Sequence, residues 1–100
     1  MVQPIEDLTV DDVVHRKVEV VSSKTPSEML VLDIDGGTCF AFQGPSARIW
    51  ELLETPIGIG DLVDRLVEEY AVEIVDCRDE VLTHLNKLRL EGILAVATVR

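Results

Sequence analysis

The chain has 100 residues, of which 47 % are hydrophobic and 28 % charged, and its formal net charge at pH 7 is −10. This length suits one domain, and the hydrophobic fraction is large enough for a packed core, which excludes a disordered chain. Nine Lys and Arg against nineteen Asp and Glu argue against a nucleic-acid binder, because such proteins concentrate basic residues on one face.

The sequence shows no targeting or membrane segment. No apolar run approaches the ~20 residues that a membrane-spanning helix requires. Residues 1–7 have neither the basic stretch nor the apolar stretch of a signal peptide, so we expect a cytoplasmic protein without membrane contact. Cys39 and Cys77 are too few for a structural zinc site. We expect two reduced thiols, and neither a metal nor another cofactor.

Three strands are predicted in the first half of the chain. Residues 1–12 are expected to form a flexible N-terminus, and residues 13–100 a single domain. The strands are expected at residues 13–21, 29–34 and 38–42. In the first, Val18 and Val20 alternate with Lys17 and Glu19, which is the period-two pattern of a half-buried strand. In the third, Phe40 and Phe42 share one face, opposite Cys39 and Ala41.

The segment after the second strand contains a hairpin and a strand-to-helix corner. Asp35-Gly36 is typical of a tight turn between strands, because such turns need residues with positive φ. Gly44-Pro45 ends the third strand and begins a helix, since proline is tolerated in the first turn, where its missing N–H has no partner. That helix carries Trp50, the only tryptophan and the best candidate for the centre of the core.

Three helices are predicted in the second half, at about residues 45–54, 60–70 and 76–91, followed by a short strand at 93–99. The apolar residues of the second helix recur at three- and four-residue spacing, as in an amphipathic helix. Strands followed by helices indicate an α+β fold, with the helices packed on one side of a three-stranded antiparallel sheet. The outline is that of a winged helix-turn-helix.

The sequence contains no recognisable catalytic set. The nucleophile elbow G-x-S-x-G, the zinc motif H-E-x-x-H and the phosphate-binding P-loop are all missing. The two histidines, His15 and His84, have no nucleophile that the sequence places beside them. We therefore expect no catalytic residues and a binding function.

A peptide groove is predicted between the third strand and the third helix. The exposed edge of a small sheet offers unpaired N–H and C=O groups to an extended peptide. On a helical wheel, Arg78, Leu82 and Arg89 share one flank of the third helix. Leu85 belongs to the neighbouring core stripe. An apolar side chain between two cations suits the wall of a groove; alternatively, Leu82 is the edge of the core and the arginines are solvated.

The order of these elements resembles the PqqD-like family, the precursor-peptide recognition elements of ribosomally made, modified peptides. The resemblance rests on residues 32–42 and 44–53, and it extends over about residues 14–95. The shared pattern is a strand, a turn with glycine, an aromatic strand end and an Ile-Trp-x-Leu-Leu helix. Phe42 stands where leucine is usual, and Gly44-Pro45-Ser46 departs from the commoner polar-Thr-Ala start.

The resemblance implies a winged-helix-like domain without enzymatic activity, which binds the leader of a precursor peptide as an added strand. The family's leader lies in the cleft between the third strand and the third helix. For this chain, the resemblance implies the following peptide-binding residues: Thr38, Cys39, Phe40, Ala41, Phe42, Arg78, Leu82, Leu85 and Arg89.

The resemblance also implies partners. A free-standing protein of this length is similar to the recognition proteins of lasso-peptide biosynthesis, which work beside a separate, cysteine-protease-like leader peptidase. A cyclase is a further candidate partner. The alternative is a stand-alone leader-binding chaperone for a radical-SAM peptide-modifying enzyme.

Two further functions fit the same outline. A winged-helix regulator would place its second or third helix on DNA. The second helix, however, carries four carboxylates against Arg65 alone, the wrong sign for phosphates, so we expect no nucleic-acid partner. A small scaffold or dimerising domain would instead bury the third strand between two copies.

Overall fold

The computed structural model describes residues 8–97, which fold into two three-stranded antiparallel sheets and three helices. The strands are β1 (Val13–Arg16), β2 (Val20–Lys24), β3 (Met29–Asp33), β4 (Thr38–Phe42), β5 (Ile57–Gly58) and β6 (Leu94–Val96). The helices are α1 (Pro45–Leu52), α2 (Ile59–Tyr70) and α3 (Ile74–Leu90). One sheet has the order β2-β3-β4 and the other the order β5-β1-β6.

The α+β class is confirmed, but the single predicted sheet is in fact two. A turn divides the predicted strand 13–21, and its halves β1 and β2 join different sheets. At this corner the Lys17 N–H donates to the Ile93 carbonyl oxygen, 3.0 Å away. Val18, which the alternation placed within a half-buried strand, is 83 % exposed. A contact with a residue distant in the sequence thus decides where the strand ends.

The hairpin between β3 and β4 is confirmed, with the positive φ at a different glycine. Asp33 and Thr38 are the last paired residues. The turn between them closes through a 2.8 Å hydrogen bond from the Gly37 N–H to the Asp33 carbonyl oxygen. Gly37, rather than Gly36, has the left-handed conformation, with φ of 69°. The buried Asp33 carboxylate is paired with the Lys17 ammonium at 3.3 Å, which compensates its burial.

The three predicted helices are confirmed, with small changes at their ends. The first ends at Leu52, and the third begins at Ile74, two residues before the predicted start at Asp76. Gly92, with φ of 84°, follows the third helix. The short β5 was not predicted. The predicted terminal strand corresponds to β6, and its last residues lie outside the part that the structure describes.

The buried residues form one cluster centred on Trp50, whose predicted role in the core is confirmed. The Trp50 side chain is fully buried, and its Nε1–H donates to the Ser22 hydroxyl of β2 at 2.7 Å. The Arg16 guanidinium of β1 lies 5.0 Å from the indole centroid, within cation–π distance. Trp50 therefore ties α1 to both sheets.

Residues 8–12, which were assigned to the flexible N-terminus, pack against α2 and α3. Leu8 is buried, and its N–H donates to the Asn86 Oδ1 of α3 at 3.3 Å. The Val10 carbonyl oxygen accepts the Gly60 N–H at 3.0 Å, which satisfies one of the free donors in the first turn of α2. The packed part of the described chain therefore starts before the predicted boundary.

Candidate functional site: a strand edge beside helix α3

Strand β4 has a partner on one side only. It pairs with β3 over its whole length, and no strand pairs with its other side among residues 8–97. Such an edge presents a row of unpaired N–H and C=O groups. Thr38, Cys39 and Ala41 are exposed, whereas Phe40 and Phe42 are half-buried against the core. The five predicted strand residues therefore lie on an open edge.

Phe42 connects the end of β4 with two helices. Its ring centroid lies 5.8 Å from that of Trp50 in α1 and 5.9 Å from that of His84 in α3. The His84 contact is edge-on, with 81° between the planes, a favourable geometry for aromatic rings at this distance. The contact places α3 beside the end of β4, next to the open edge.

The structure does not bring all the predicted helix residues to this cleft. The basic flank of α3, formed by Arg78, Leu82 and Arg89, was predicted to face the third strand. At 100° per residue, these three residues lie about 120–160° around the helix from His84, the residue that contacts β4. The basic flank and the residue that contacts β4 therefore lie on different sides of the helix.

The N-terminal segment contacts α3 near the basic flank. Asn86 lies one turn after Leu82 and accepts the Leu8 N–H. Leu82 packs against the edge of the core, and Leu85 is fully buried inside it. Whether Leu82 or its neighbours bind a peptide stays a prediction.

His84 is the site residue that sequence reasoning missed. Its Nε2 is buried without a hydrogen-bond partner among the described residues. Burial lowers the pKa of the imidazole, and the nearby Lys87 ammonium lowers it further, so the ring is neutral at pH 7. A lone histidine on an amphipathic helix carries no signal of this role, which arises from the contact with Phe42.

A pocket of about 590 Å³ opens beside His84, between the beginnings of α1 and α3 and the end of α2. We call it the acidic pocket. Buried apolar side chains, among them Ile49, Leu66 and Val81, form its floor. Its acidic residues are Glu73, Asp76 and Glu80. The volume is within the ~300–1,000 Å³ that is typical of ligand pockets.

The thiols do not form a catalytic pair. Cys39 is exposed on β4, and Cys77 is buried in α3. Burial, with a further contribution from Glu80, raises the pKa of the Cys77 thiol, which keeps it protonated and a poor nucleophile. Within residues 8–97, no three His, Cys, Asp or Glu side chains are grouped as metal ligands. In the same range, no helix has the length and apolar character needed to cross a membrane.

The fold and the site define a small α+β protein with an open strand edge beside a helix, the arrangement that strand addition of a peptide requires. Residues 28–94 match the sequence model of the family described as coenzyme PQQ synthesis protein D (PqqD), and the chain belongs to this family. The resemblance that the sequence suggested is thereby confirmed. The match includes β3, β4 and all three helices.

Two solved structures share the fold. One is TbiB1 in complex with the TbiA(beta) leader peptide, with 24 % identity and a TM-score of 0.74, covering 86 % of this chain and 99 % of that chain. The other is lasso peptide synthetase B1 complexed with the leader peptide, with 22 % identity and a TM-score of 0.73, covering 82 % of this chain and 96 % of that chain. A comparison with curated protein sequences finds no match.

Proposed function

We propose that this protein is a non-catalytic adaptor that binds the leader segment of a ribosomally made precursor peptide and presents it to processing enzymes. The observation that carries this proposal is the open edge of β4 beside α3. Membership of the PqqD family supports it, as do two structural neighbours whose titles name a bound leader peptide.

In the proposed complex the leader forms an additional strand along residues 38–42. Backbone hydrogen bonds to the β4 edge supply affinity, and alternate side chains of the leader point towards α3 and supply selectivity. Two flanks of α3 are candidates for the second wall. The contact between Phe42 and His84 favours the acidic flank, which comprises Asp76, Glu80 and His84 and also carries Lys87, over the predicted basic flank.

An adaptor of this kind needs no chemistry of its own. Strand addition uses only backbone donors and acceptors, and the buried Cys77 thiol is held in its unreactive form. We accordingly propose that the purified protein neither cleaves nor modifies the peptide that it binds.

The proposed pathway is lasso-peptide biosynthesis, with a cysteine-protease-like leader peptidase as the principal partner and a cyclase as a second one. The name of one structural neighbour, lasso peptide synthetase B1, supports this choice over a radical-SAM partner. The proposed compartment is the cytoplasm, where ribosomal peptides are made. Neighbouring reading frames for a short precursor, a peptidase and an asparagine-synthetase-like cyclase would distinguish the two pathways.

The binding mode can be tested by titrating the isotope-labelled protein with two leaders, the one encoded next to this gene and the TbiA(beta) leader. We expect amide shifts at residues 38–42 and around His84. Binding without shifts in β4, or no binding of the neighbouring leader, would contradict the proposal.

A pair of N-methylated leaders provides the matched control. Because a strand presents successive N–H groups to opposite sides, methylating alternate residues blocks pairing with β4 in only one of two registers. We expect the two peptides to differ at least about tenfold in affinity, equivalent to about 1.4 kcal/mol. Equal affinities would show that the backbone of the leader does not pair with the edge.

A further inference from the structure

The acidic pocket lies directly beyond one end of the open edge. Pro45 and Ser46 line it and follow Phe42, the last residue of β4, by only a few positions. His84 both contacts the Phe42 ring and lines the pocket. A peptide paired with β4 and extending past Phe42 would therefore meet this pocket next.

The pocket offers apolar surface to an incoming side chain. Its floor is buried hydrophobic residues, and the end of α2, the linker and the beginning of α3 add an exposed apolar rim. Tyr70 and Val72 line the pocket and are 42 % and 45 % exposed, while Ile74 and Val75 beside them are each 51 % exposed. Large apolar side chains exposed next to a pocket mark a contact surface rather than a random surface position.

The charged residues that line the pocket are acidic, and Lys87 lies just outside it, beside Glu80 and His84. Glu73, Asp76 and Glu80 line the pocket, and no lysine or arginine among residues 8–97 does. None of the three carboxylates forms a salt bridge with another residue of the described range 8–97. The acidic residues elsewhere are partly neutralised: Glu51 and Glu69, for example, are paired with Arg48.

We infer that the acidic pocket selects a basic segment of the bound peptide, in which one apolar side chain enters the pocket and neighbouring lysine or arginine residues meet the three carboxylates. This inference rests on the proposed strand addition at β4 and specifies the chemistry of the peptide that is added. It differs from the expectation of the sequence analysis, in which Arg78 and Arg89 formed the charged wall of the groove.

His84 has a defined part in this recognition. Its buried Nε2 lacks a hydrogen-bond partner in the described chain, and an unsatisfied buried polar group is costly. A polar group of the bound peptide at the entrance of the pocket supplies that partner. His84 therefore positions the peptide where the strand edge ends and the pocket begins.

The inference can be tested with a displayed library of short random peptides selected on three forms of the protein. The pocket variant carries Glu73→Gln, Asp76→Asn and Glu80→Gln. The control variant carries Asp61→Asn, Asp64→Asn and Glu68→Gln, at exposed positions of α2, and changes the net charge equally. We expect peptides selected on the wild type and the control to be rich in Lys and Arg, and this excess to disappear on the pocket variant.

The affinity of one selected peptide is then measured for the wild type and both variants. This measurement distinguishes an effect of the pocket carboxylates from an effect of the protein's net charge. At low salt we expect about a tenfold loss on the pocket variant, equivalent to about 1.4 kcal/mol, and less than about a twofold loss on the control. The difference should shrink at high salt, because the screening length falls from about 10 Å at 0.1 M to about 3 Å at 1 M. Circular dichroism checks that both variants are folded.

The outcomes also separate this inference from the proposed function. Selected peptides that shift the β4 amides but carry no excess of Lys and Arg would overturn the pocket inference and leave strand addition intact. Equal losses on the pocket and control variants would also overturn it, since they would indicate only net-charge attraction. Basic peptides that bind without shifts in β4, or a library from which nothing is enriched, would overturn both.

Discussion

The two flanks of helix α3 differ in charge and in what lies beside them. The acidic flank meets the end of β4 through His84 and Phe42, whereas the basic flank lies on the side where Asn86 binds residue Leu8. On a helical wheel both flanks border the same core stripe, and each suits a groove. Amphipathicity thus identifies the buried face of a helix, whereas contacts between distant segments decide which flank becomes a binding site.

The largest effect is expected when the residue that holds both sheets against α1 is truncated. Trp50→Ala deletes a fully buried side chain together with its bond to Ser22, and it should destabilise the protein by about 3–5 kcal/mol. Chemical denaturation measures the effect. A loss below about 1 kcal/mol would mean that the core does not depend on Trp50 and that the position of α1 relative to β4 needs revision.

The roles of the two flanks can be distinguished by truncating one side chain on each. His84→Ala removes the ring between Phe42 and the pocket, and we expect about a tenfold weaker affinity for the leader, or about 1.4 kcal/mol. Leu82→Ala is the matched change on the basic flank, also at a half-buried position, and we expect less than about a twofold change.

Both variants are measured by fluorescence anisotropy, after circular dichroism has shown that they are folded. The reverse result, with weak binding by folded Leu82→Ala and normal binding by His84→Ala, would establish the basic flank as the wall that the sequence analysis predicted.

His84 should also make stability depend on pH. Its pKa in the folded protein is lowered by burial and by Lys87, so below pH ~6.5 the unfolded chain binds a proton that the folded protein does not. The contribution of the neutral ring is complete above that pH and is lost as the pH falls from ~6.5 to the lowered value of the folded state. We expect the free energy of unfolding to decrease over this interval.

The decrease should disappear in His84→Gln and persist in His15→Gln, which changes the other histidine of the chain. Denaturation at several pH values provides the measurement. If His84→Gln retained the whole slope, the imidazole would not be buried beside β4 in the way the structure shows.

The smallest effect is expected from an ion pair between α1 and α2. Arg48 of α1 pairs with Glu69 at 2.8 Å and with Glu51 at 3.3 Å. The contact lowers the pKa of the Glu69 carboxyl, while the pKa of Glu51 is lowered by Lys24 first and by Arg48 second. Because the pairs are solvent-accessible, Arg48→Ala should lower Tm by no more than a few degrees, and less at high salt.

Arg48→Ala should leave leader binding unchanged, because the ion pairs of Arg48 are with Glu51 of α1 and Glu69 of α2 rather than with β4 or α3. Thermal melts at two salt concentrations and one binding curve test this expectation. A clear loss of affinity would extend the binding site to the surface of α1.

Half of the proposed site followed from the sequence and half did not. The edge strand was located correctly, because a short hairpin with a turn signal and a following Gly44-Pro45 corner are local features. His84 and the acidic pocket were missed. The pocket joins the beginnings of α1 and α3 to the end of α2, and nothing in the local pattern of these helices indicates that their ends meet.

Local patterns in the sequence were sufficient to predict the α+β class, the β3–β4 hairpin, the three helices and the buried Trp50. These features depend on residues close together in the chain, namely alternation, helical spacing, turn glycines and the choice of the largest apolar side chain. The tertiary structure alone decided that residues 13–24 form two strands in two sheets, that residues 8–12 pack on the domain, and that His84 faces β4. Each of these outcomes depends on a contact between distant residues, such as Lys17 with Ile93 or Leu8 with Asn86, which periodicity along the chain does not encode.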